Sequence, residues 1–380
     1  MPQAEEPLSL LWIDEHLPDP SRDSGSLRMF NLMRLLVAMG HRVHCLPESR
    51  TVLPALADTL LSIGVELPAH NNHIATESPA SWLLRQGRQY DGVIVSRYHL
   101  AFSWFPLIRR SHPNAIRVLD TVDLHHVREM READHRGNRG LAAASRMTRK
   151  MELSAIRQAD VTWVVSEIEA TILHAEAPEA VVRNVSNLID LPPETSLPAS
   201  RHGLIFVGGA QHPPNIDAVR WLLSDIVPSL QQRLAGCELH LVGAGLEESM
   251  VGIRVPEGVH FHGHLPEMDG LLESCRIGIA PLRFGAGVKG KINQYMAHGL
   301  PVVATPIAAE GMHLRDGQDV LVAESTEDFI LSIERLSRND ALWMQLSANG
   351  RENVRKFFSA ESAIPSLVAT FVRPQHRSGT

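Results

Sequence analysis

The segment Gly285-Ala286-Gly287-Val288-Lys289-Gly290-Lys291 concentrates the residue types that hold an anion. It follows an apolar, strand-like run at 277–282 and precedes a helix-patterned stretch ending at Gly299. Glycines let backbone N–H groups approach phosphate oxygens, and a helix start adds partial positive charge. Arg283, Lys289 and Lys291 add full charges. The letters fit several chemistries. Gly285-x-Gly287-x-x-Gly290 has the spacing of a dinucleotide fingerprint. It sits late in the chain, though, and the nearest acidic residue, Glu310, lies beyond Pro306. Gly285-x-x-x-x-Gly290-Lys291 nearly completes a P-loop, but Ile292 stands where a hydroxyl must meet magnesium. A tight strand-to-helix turn with solvated lysines and a nucleotide-sugar diphosphate site are the other readings.

Such a turn needs a strand and a helix on either side, and the chain supplies that alternation twice. Strand-like runs occur at 8–13, 42–46, 93–96, 117–119 and 161–166, with helical patterns between them such as 27–39, closed by Gly40. The stretch 191–202 (LPPETSLPASRH) breaks the pattern and reads as a linker. The alternation restarts at 204–207, ending in Gly208-Gly209, and continues at 239–242, 277–280, 302–305 and 320–322. From Ser325 onward the pattern is helical. Strands separated by helices imply parallel βαβ units. The expected fold is α/β: two facing, doubly wound, Rossmann-like domains with the site in the cleft between them. The expected boundaries are 1–190 and 203–356, with 357–380 a C-terminal helix returning to the first domain.

Composition agrees with a globular protein of about two domains: 380 residues, 44% hydrophobic, 21% charged, net charge −7. Nothing in that charge points to nucleic acid. Cys45, Cys237 and Cys275 are far apart, without metal or disulfide spacing, as in a reducing compartment. The acidic N-terminus lacks the features of a secretory signal, and no apolar run reaches the ~18 residues of a membrane span. A cytoplasmic location is expected.

The segment 281–312 (PLRFGAGVKGKINQYMAHGLPVVATPIAAEGM) resembles the donor-binding core of the retaining glycosyltransferase family 4, of GT-B fold. Neighbouring stretches are similar too: 206–222 to the first strand and helix of that family's second domain, 259–282 to its base-binding region, and 14–44 to the first loop and helix of its first domain. The resemblance implies transfer of a sugar from a nucleotide-diphosphate sugar to a glycan, lipid-linked or other acceptor. No cofactor is implied beyond that donor. Lys289, with Arg283 and Lys291, would bind the diphosphate. Gly208, Gly209, Gly287 and Val288 would line its turn. Glu310, Gly311 and Met312 would sit near sugar and phosphates, and Gly25 in a loop closing from the first domain. His125 or His126 would face the sugar, and His264 and Leu265 would cover the base. The family often has two glutamates where this chain has Ala286 and Gln294; Gln294 can still hydrogen-bond a diol. The turn Gly209-Ala210-Gln211-His212 also lacks the Arg and Lys common there, so the charge on the diphosphate rests on Arg283, Lys289 and Lys291.

Other residues have plainer readings. His260, His262 and His264 alternate and would share one strand face, but no carboxylate or Cys completes a zinc set, so no metal is expected. No Asp-x-Asp triplet is present. The basic run Arg131, Arg136, Arg139, Arg146, Arg149, Lys150 and Arg157 reads first as a solvated helix face, and second as a patch for an anionic membrane or lipid diphosphate. The six tryptophans read as packing residues. Two rival functions stand beside glycosyl transfer: an epimerase acting on a nucleotide sugar, and a non-catalytic sugar-nucleotide-binding subunit.

Overall fold

The computed structural model describes residues 6–49, 53–68, 78–85, 89–193 and 196–372. The start of the acidic N-terminal stretch (1–5), positions 194–195 of the proline-rich stretch and the end of the C-terminal segment (373–380) lie outside the described residues.

Two six-stranded parallel sheets form the framework. The first contains β1 (Ser9–Asp14), β2 (Arg42–Pro47), β3 (Gly92–Ser96), β4 (Ile116–Asp120), β5 (Val161–Val164) and β6 (Val182–Asn184), in spatial order β2-β1-β3-β4-β5-β6. The second contains β7 (His202–Val207), β8 (Leu239–Val242), β9 (Val259–Phe261), β10 (Cys275–Ala280), β11 (Val302–Ala304) and β12 (Leu321–Val322), in order β12-β11-β10-β7-β8-β9. Helices cover both faces, so inner strands are largely buried on both sides and read as mostly apolar runs. Every residue of β3 is buried, as is all of β1 after Ser9. Strand order reverses between β1 and β3 and again between β7 and β10. Such reversals open a crevice at the carboxyl ends of the strands. The segment after β10 and the glycine pair after β7 both lie there.

Local chemistry sets the helix ends. The helix Ser24–Ala38 begins three residues before its apolar period because Asp23 caps it, accepting from the Ser26 N–H at 2.8 Å. Arg28 on this helix is buried and pairs with Asp120 at 2.8 Å, while also donating to the Val185 carbonyl at 2.8 Å. It therefore locks the helix to β4 and to the segment after β6. The run expected as a strand to 166 stops at Val164, because Ser166 caps the helix Glu167–Glu176. β6 has no apolar run to betray it.

The chain ends on the first domain. After the helix Asp340–Phe357, the Ile189 N–H donates to the Phe358 carbonyl at 2.8 Å. The helix Ala360–Phe371 then packs on the first sheet. There Leu367 is buried, the Trp163 indole N–H donates to Thr370 Oγ1 at 2.9 Å, and the Phe371 ring packs against Gly92. All six tryptophans are buried, the three cysteines are unpaired, and among the described residues no helix is long and apolar enough to cross a membrane.

Candidate active site

β10 delivers the glycine-lysine segment. Leu282 and Phe284 turn inward and are buried, which leaves Arg283 facing outward. Gly285 opens the turn and Gly287 sits at φ 66°, in the left-handed region that favours glycine. Lys289 occupies the cap position of the helix Gly290–Ala297. Val288 is half-buried against the second core.

The cations of this segment have different fates. Lys289 is 8% exposed. Its Nζ donates to the carbonyls of Ala286 at 3.1 Å and Gly287 at 2.6 Å. Burial pushes its pKa down to about 8, against the pull of Glu310 and Glu169. Lys291 Nζ donates to Asn215 Oδ1 at 2.7 Å and lies 4.0 Å from the centre of the Phe206 ring. Burial, reinforced by Lys289, holds its pKa well below the lysine range. Asn215 also donates to the Gly209 carbonyl at 2.9 Å, and Gly208 lies flat against its amide. Arg283 takes a different direction from the one expected. It makes a bidentate pair with Asp217 at 2.8 and 2.6 Å and lies over the Trp221 ring. An exposed arginine so close to water pairs with the nearest carboxylate, which the sequence places 66 residues away.

The first domain closes over this segment. Gly287 packs against Asp123 and Val165: a Cβ there would come within 3.1 Å of Asp123. Gly290 packs against Ser24, where a Cβ would meet the Ser24 Cβ at 2.4 Å, and Gly311 against Ser166 at 2.9 Å. Asn187 donates to Asn293 at 3.2 Å with both side chains buried. Arg22 donates to Gln211 at 2.6 Å, and Ser21 meets His264 at 3.4 Å. Gly25 lies against Asp23 and Val122 in the first turn of its helix.

Val122 has φ 64°, a costly conformation for a β-branched residue. It turns the chain so that Asp123 reaches the cleft wall. Asp123 is buried: it pairs with Arg128 and lies 3.2 Å from His125 Nδ1. Burial raises its pKa, but Arg128 and His125 outweigh that and hold it below the usual carboxylate range. Burial pulls His125 down, yet Asp123 and Glu152 hold its imidazole above the usual value. The two histidines are thereby distinguished. His126 is drawn into its own domain, with Nδ1 2.5 Å from Glu152 and Nε2 3.4 Å from Glu176. His125 stays beside Asp123, edge-on to Tyr98. Glu169 accepts from the Leu124 N–H at 3.0 Å and the Val165 N–H at 3.3 Å. Burial, then Asp123, pushes it up to about 7.

Glu310 follows the short helix Pro306–Ala309 and pairs with Arg131 of the first domain, at 2.5 and 2.9 Å. Gly311 takes φ 74° and Met312 is buried in the core. Gln294 is half-buried on the helix Gly290–Ala297. Leu265 packs on the second core beside exposed His264.

Sequence reasoning missed Asp123 and Glu169, and Arg131, read there as part of a basic run, turns instead to Glu310 and the Gly285 carbonyl. Asp123 was signalled by its place two residues before His125. Glu169 was signalled by the Ser166-x-x-Glu169 spacing of a capping box, although its carboxylate reaches Val165 and Leu124 instead. The three alternating histidines do not form one row. β9 ends at Phe261, so His260 and His262 both meet His240, the latter at 3.0 Å, while His264 turns to Ser21. Among the described residues no group of three His, Cys, Asp or Glu is placed to hold a metal ion. Within the basic run, Arg131, Arg136, Arg149 and Arg157 are paired with Glu310, Glu132, Glu176 and Glu179.

Residues 201–339 match the family model described as "Glycosyl transferases group 1". No curated protein matches the chain significantly. Among solved structures, sucrose-phosphate synthase from Thermosynechococcus elongatus superposes with a TM-score of 0.72 at 14% identity, over 96% of this chain and 98% of the other. HepE from Anabaena, solved in complex with UDP-glucose, gives 0.70 at 12% identity, over 96% and 99%. S. aureus TarM, solved with Fondaparinux, alpha-GlcNAc-glycerol and UDP, gives 0.61 at 14% identity; the match covers 78% of this chain and 59% of TarM. The fold is GT-B, with two Rossmann-like domains around a cleft.

Proposed function

We propose that this protein is a glycosyltransferase that moves a sugar, with retention of configuration, from a nucleotide-diphosphate sugar to a glycan, lipid-linked or other acceptor. The observation that carries the reading is Lys289. It is a buried cation on a glycine turn at the strand-order reversal, enclosed by the opposite domain. Burying an ammonium is costly unless a strong anion repays it. Here its partners are two loop carbonyls, which a diphosphate oxygen would replace with greater gain.

The donor's nucleoside would lie over Gly208, Gly209, His264 and Leu265, with Gln294 on the ribose diol. His125, rather than His126, would face the sugar. Its Nδ1 is turned to Asp123, 3.2 Å away, which leaves Nε2 for the substrate. As the glycosidic C–O bond breaks, its electron pair passes to the diphosphate, where Lys289 stabilises the charge. A diphosphate oxygen on the same face accepts the acceptor's proton, so no carboxylate pair is required. Domain closure excludes water. Work in cell-surface polysaccharide or glycoconjugate synthesis, at the cytoplasmic side of the membrane, fits this chemistry.

Thermal stability measured against nucleoside diphosphates and nucleotide sugars tests the reading, since a ligand that binds only the native state must raise the melting temperature. We expect one base to stand out. A nucleotide sugar consumed only with an acceptor, giving a product of unchanged anomeric configuration by NMR, would separate transfer from epimerisation. No shift with any of these ligands would remove the reading.

A further inference from the structure

The charge count in the cleft is short. A donor diphosphate carries about two negative charges, and more develops on it as the sugar leaves. Arg283 is turned to Asp217 and the Trp221 ring and makes no contact with the glycine turn, and Lys291 is held by Asn215 and the Phe206 ring. The turn Gly209-Ala210-Gln211-His212 carries no lysine or arginine. Lys289 alone does not balance the group it would bind.

A second cation reaches the same turn from the other domain. Arg131 lies on the helix His125–Arg136. Its Nη1 donates to the Gly285 carbonyl at 2.8 Å and to Glu310 Oε2 at 2.5 Å, and its Nη2 donates to Glu310 Oε1 at 2.9 Å. Lys289 holds the next two carbonyls, those of Ala286 and Gly287. The two cations therefore grip consecutive peptides of one glycine turn, one from each domain. A guanidinium has five N–H donors, and these contacts use three. The bidentate carboxylate fixes the plane of the fork, so the remaining donors have a set direction. The guanidinium is 25% exposed, so it is neither sealed in the protein nor free in solvent.

We propose that Arg131 is a ligand of the donor diphosphate contributed by the first domain, and that Glu310 acts through it as a positioning residue. This rests on the glycosyl-transfer reading. The set of cationic N–H donors on the leaving group is then complete only when the cleft is closed. A donor bound to the open second domain meets Lys289 without Arg131, and its glycosidic bond is protected from hydrolysis until both domains engage.

The test uses the full chain and compares the affinity for nucleoside diphosphates (UDP, GDP, ADP, CDP, dTDP) with that for the corresponding monophosphates. Arg131→Gln should keep the melting temperature of the free protein and lower the diphosphate-over-monophosphate preference by about tenfold. Arg131→Lys, which keeps the charge, should retain more of that preference than Arg131→Gln. A role confined to the Arg131–Glu310 pair would move both nucleotides alike. An unchanged preference in Arg131→Gln, or Arg131→Lys as weak as Arg131→Gln, would overturn the assignment. If Lys289→Ala loses the diphosphate while Arg131→Gln keeps it, only the Arg131 proposal fails. If the wild-type protein binds none of the five, the glycosyl-transfer reading fails with it.

Discussion

Lys289 and Glu169 face each other across the domain boundary with pKa values shifted toward one another, the first down to about 8 and the second up to about 7. Burial is the main cause in both. The consequence for Lys289 has a definite sign. Below pH 8 its ammonium is charged and ready for an anion; above pH 8 the empty protein releases that proton. A bound diphosphate favours the charged form, so binding near pH 8 takes up a proton and weakens as pH rises. Calorimetry in buffers of different ionisation enthalpy should show this uptake on the alkaline side. Glu169 helps to hold the Lys289 proton. Glu169→Gln should therefore move the alkaline limb of donor binding to lower pH, and an unmoved or raised limb would contradict the coupling. This level was partly legible in the sequence. The glycine-lysine letters located the turn, since its glycines are needed for close approach to the first domain. The partners of its cations were not legible. Asp217 captures Arg283 and Arg131 captures Glu310 through contacts 66 and 179 residues apart, which no local pattern encodes.

At the scale of elements, the strands were readable because both sheets are parallel and covered, so the buried stretches of their inner strands are mostly apolar. The exceptions have physical causes. β6 and β9 are edge strands of three residues, none of them buried, so neither carries an apolar run. Boundaries were misplaced where a capping side chain sets them: Asp23 starts its helix ahead of the apolar period, and Ser166 ends the strand-like run at 161–166 early. Within β10, Gly278 is required by packing. The Tyr295 ring lies over it so closely that a Cβ would fall 2.4 Å from a ring carbon, while the Tyr295 hydroxyl accepts the Val207 N–H at 2.7 Å. This contact fixes the helix Gly290–Ala297 against the sheet, and with it the glycine turn. Gly278→Ala should destabilise the second domain by about 1–3 kcal/mol, the usual cost of overpacking a core. Chemical denaturation measures it, and a loss under ~0.5 kcal/mol would mean that the ring shifts freely.

At the scale of the molecule, the second domain meets the first through glycines. Gly287, Gly290 and Gly311 each leave space that a side chain of Asp123, Ser24 or Ser166 fills. A methyl at 290 cannot be relieved by a flexible chain, because it meets the Ser24 Cβ. Gly290→Ala should therefore leave each domain folded but hold the cleft open. Small-angle scattering with saturating nucleotide should report a larger radius of gyration than the wild type, and transfer should fall by on the order of tenfold or more. A variant that closes normally would show that these contacts do not set the closed geometry. The helix Ala360–Phe371 returns the end of the described chain to the first sheet, so the domains are joined by two crossings, at 185–201 and 357–360. Two crossings restrict the relative motion to a hinge, consistent with catalysis that depends on closure.

In the proposed reaction Lys289 carries the leaving-group charge of a nucleotide sugar. The most direct measurement is nucleoside diphosphate release from a nucleotide sugar by the wild-type chain and by Lys289→Ala, with the melting temperature of each free protein recorded. Turnover should drop by about 10²–10³ in a variant that remains folded. Relief of a buried ammonium should leave that variant at least as stable as the wild type. Wild-type turnover in folded Lys289→Ala would contradict this role of Lys289.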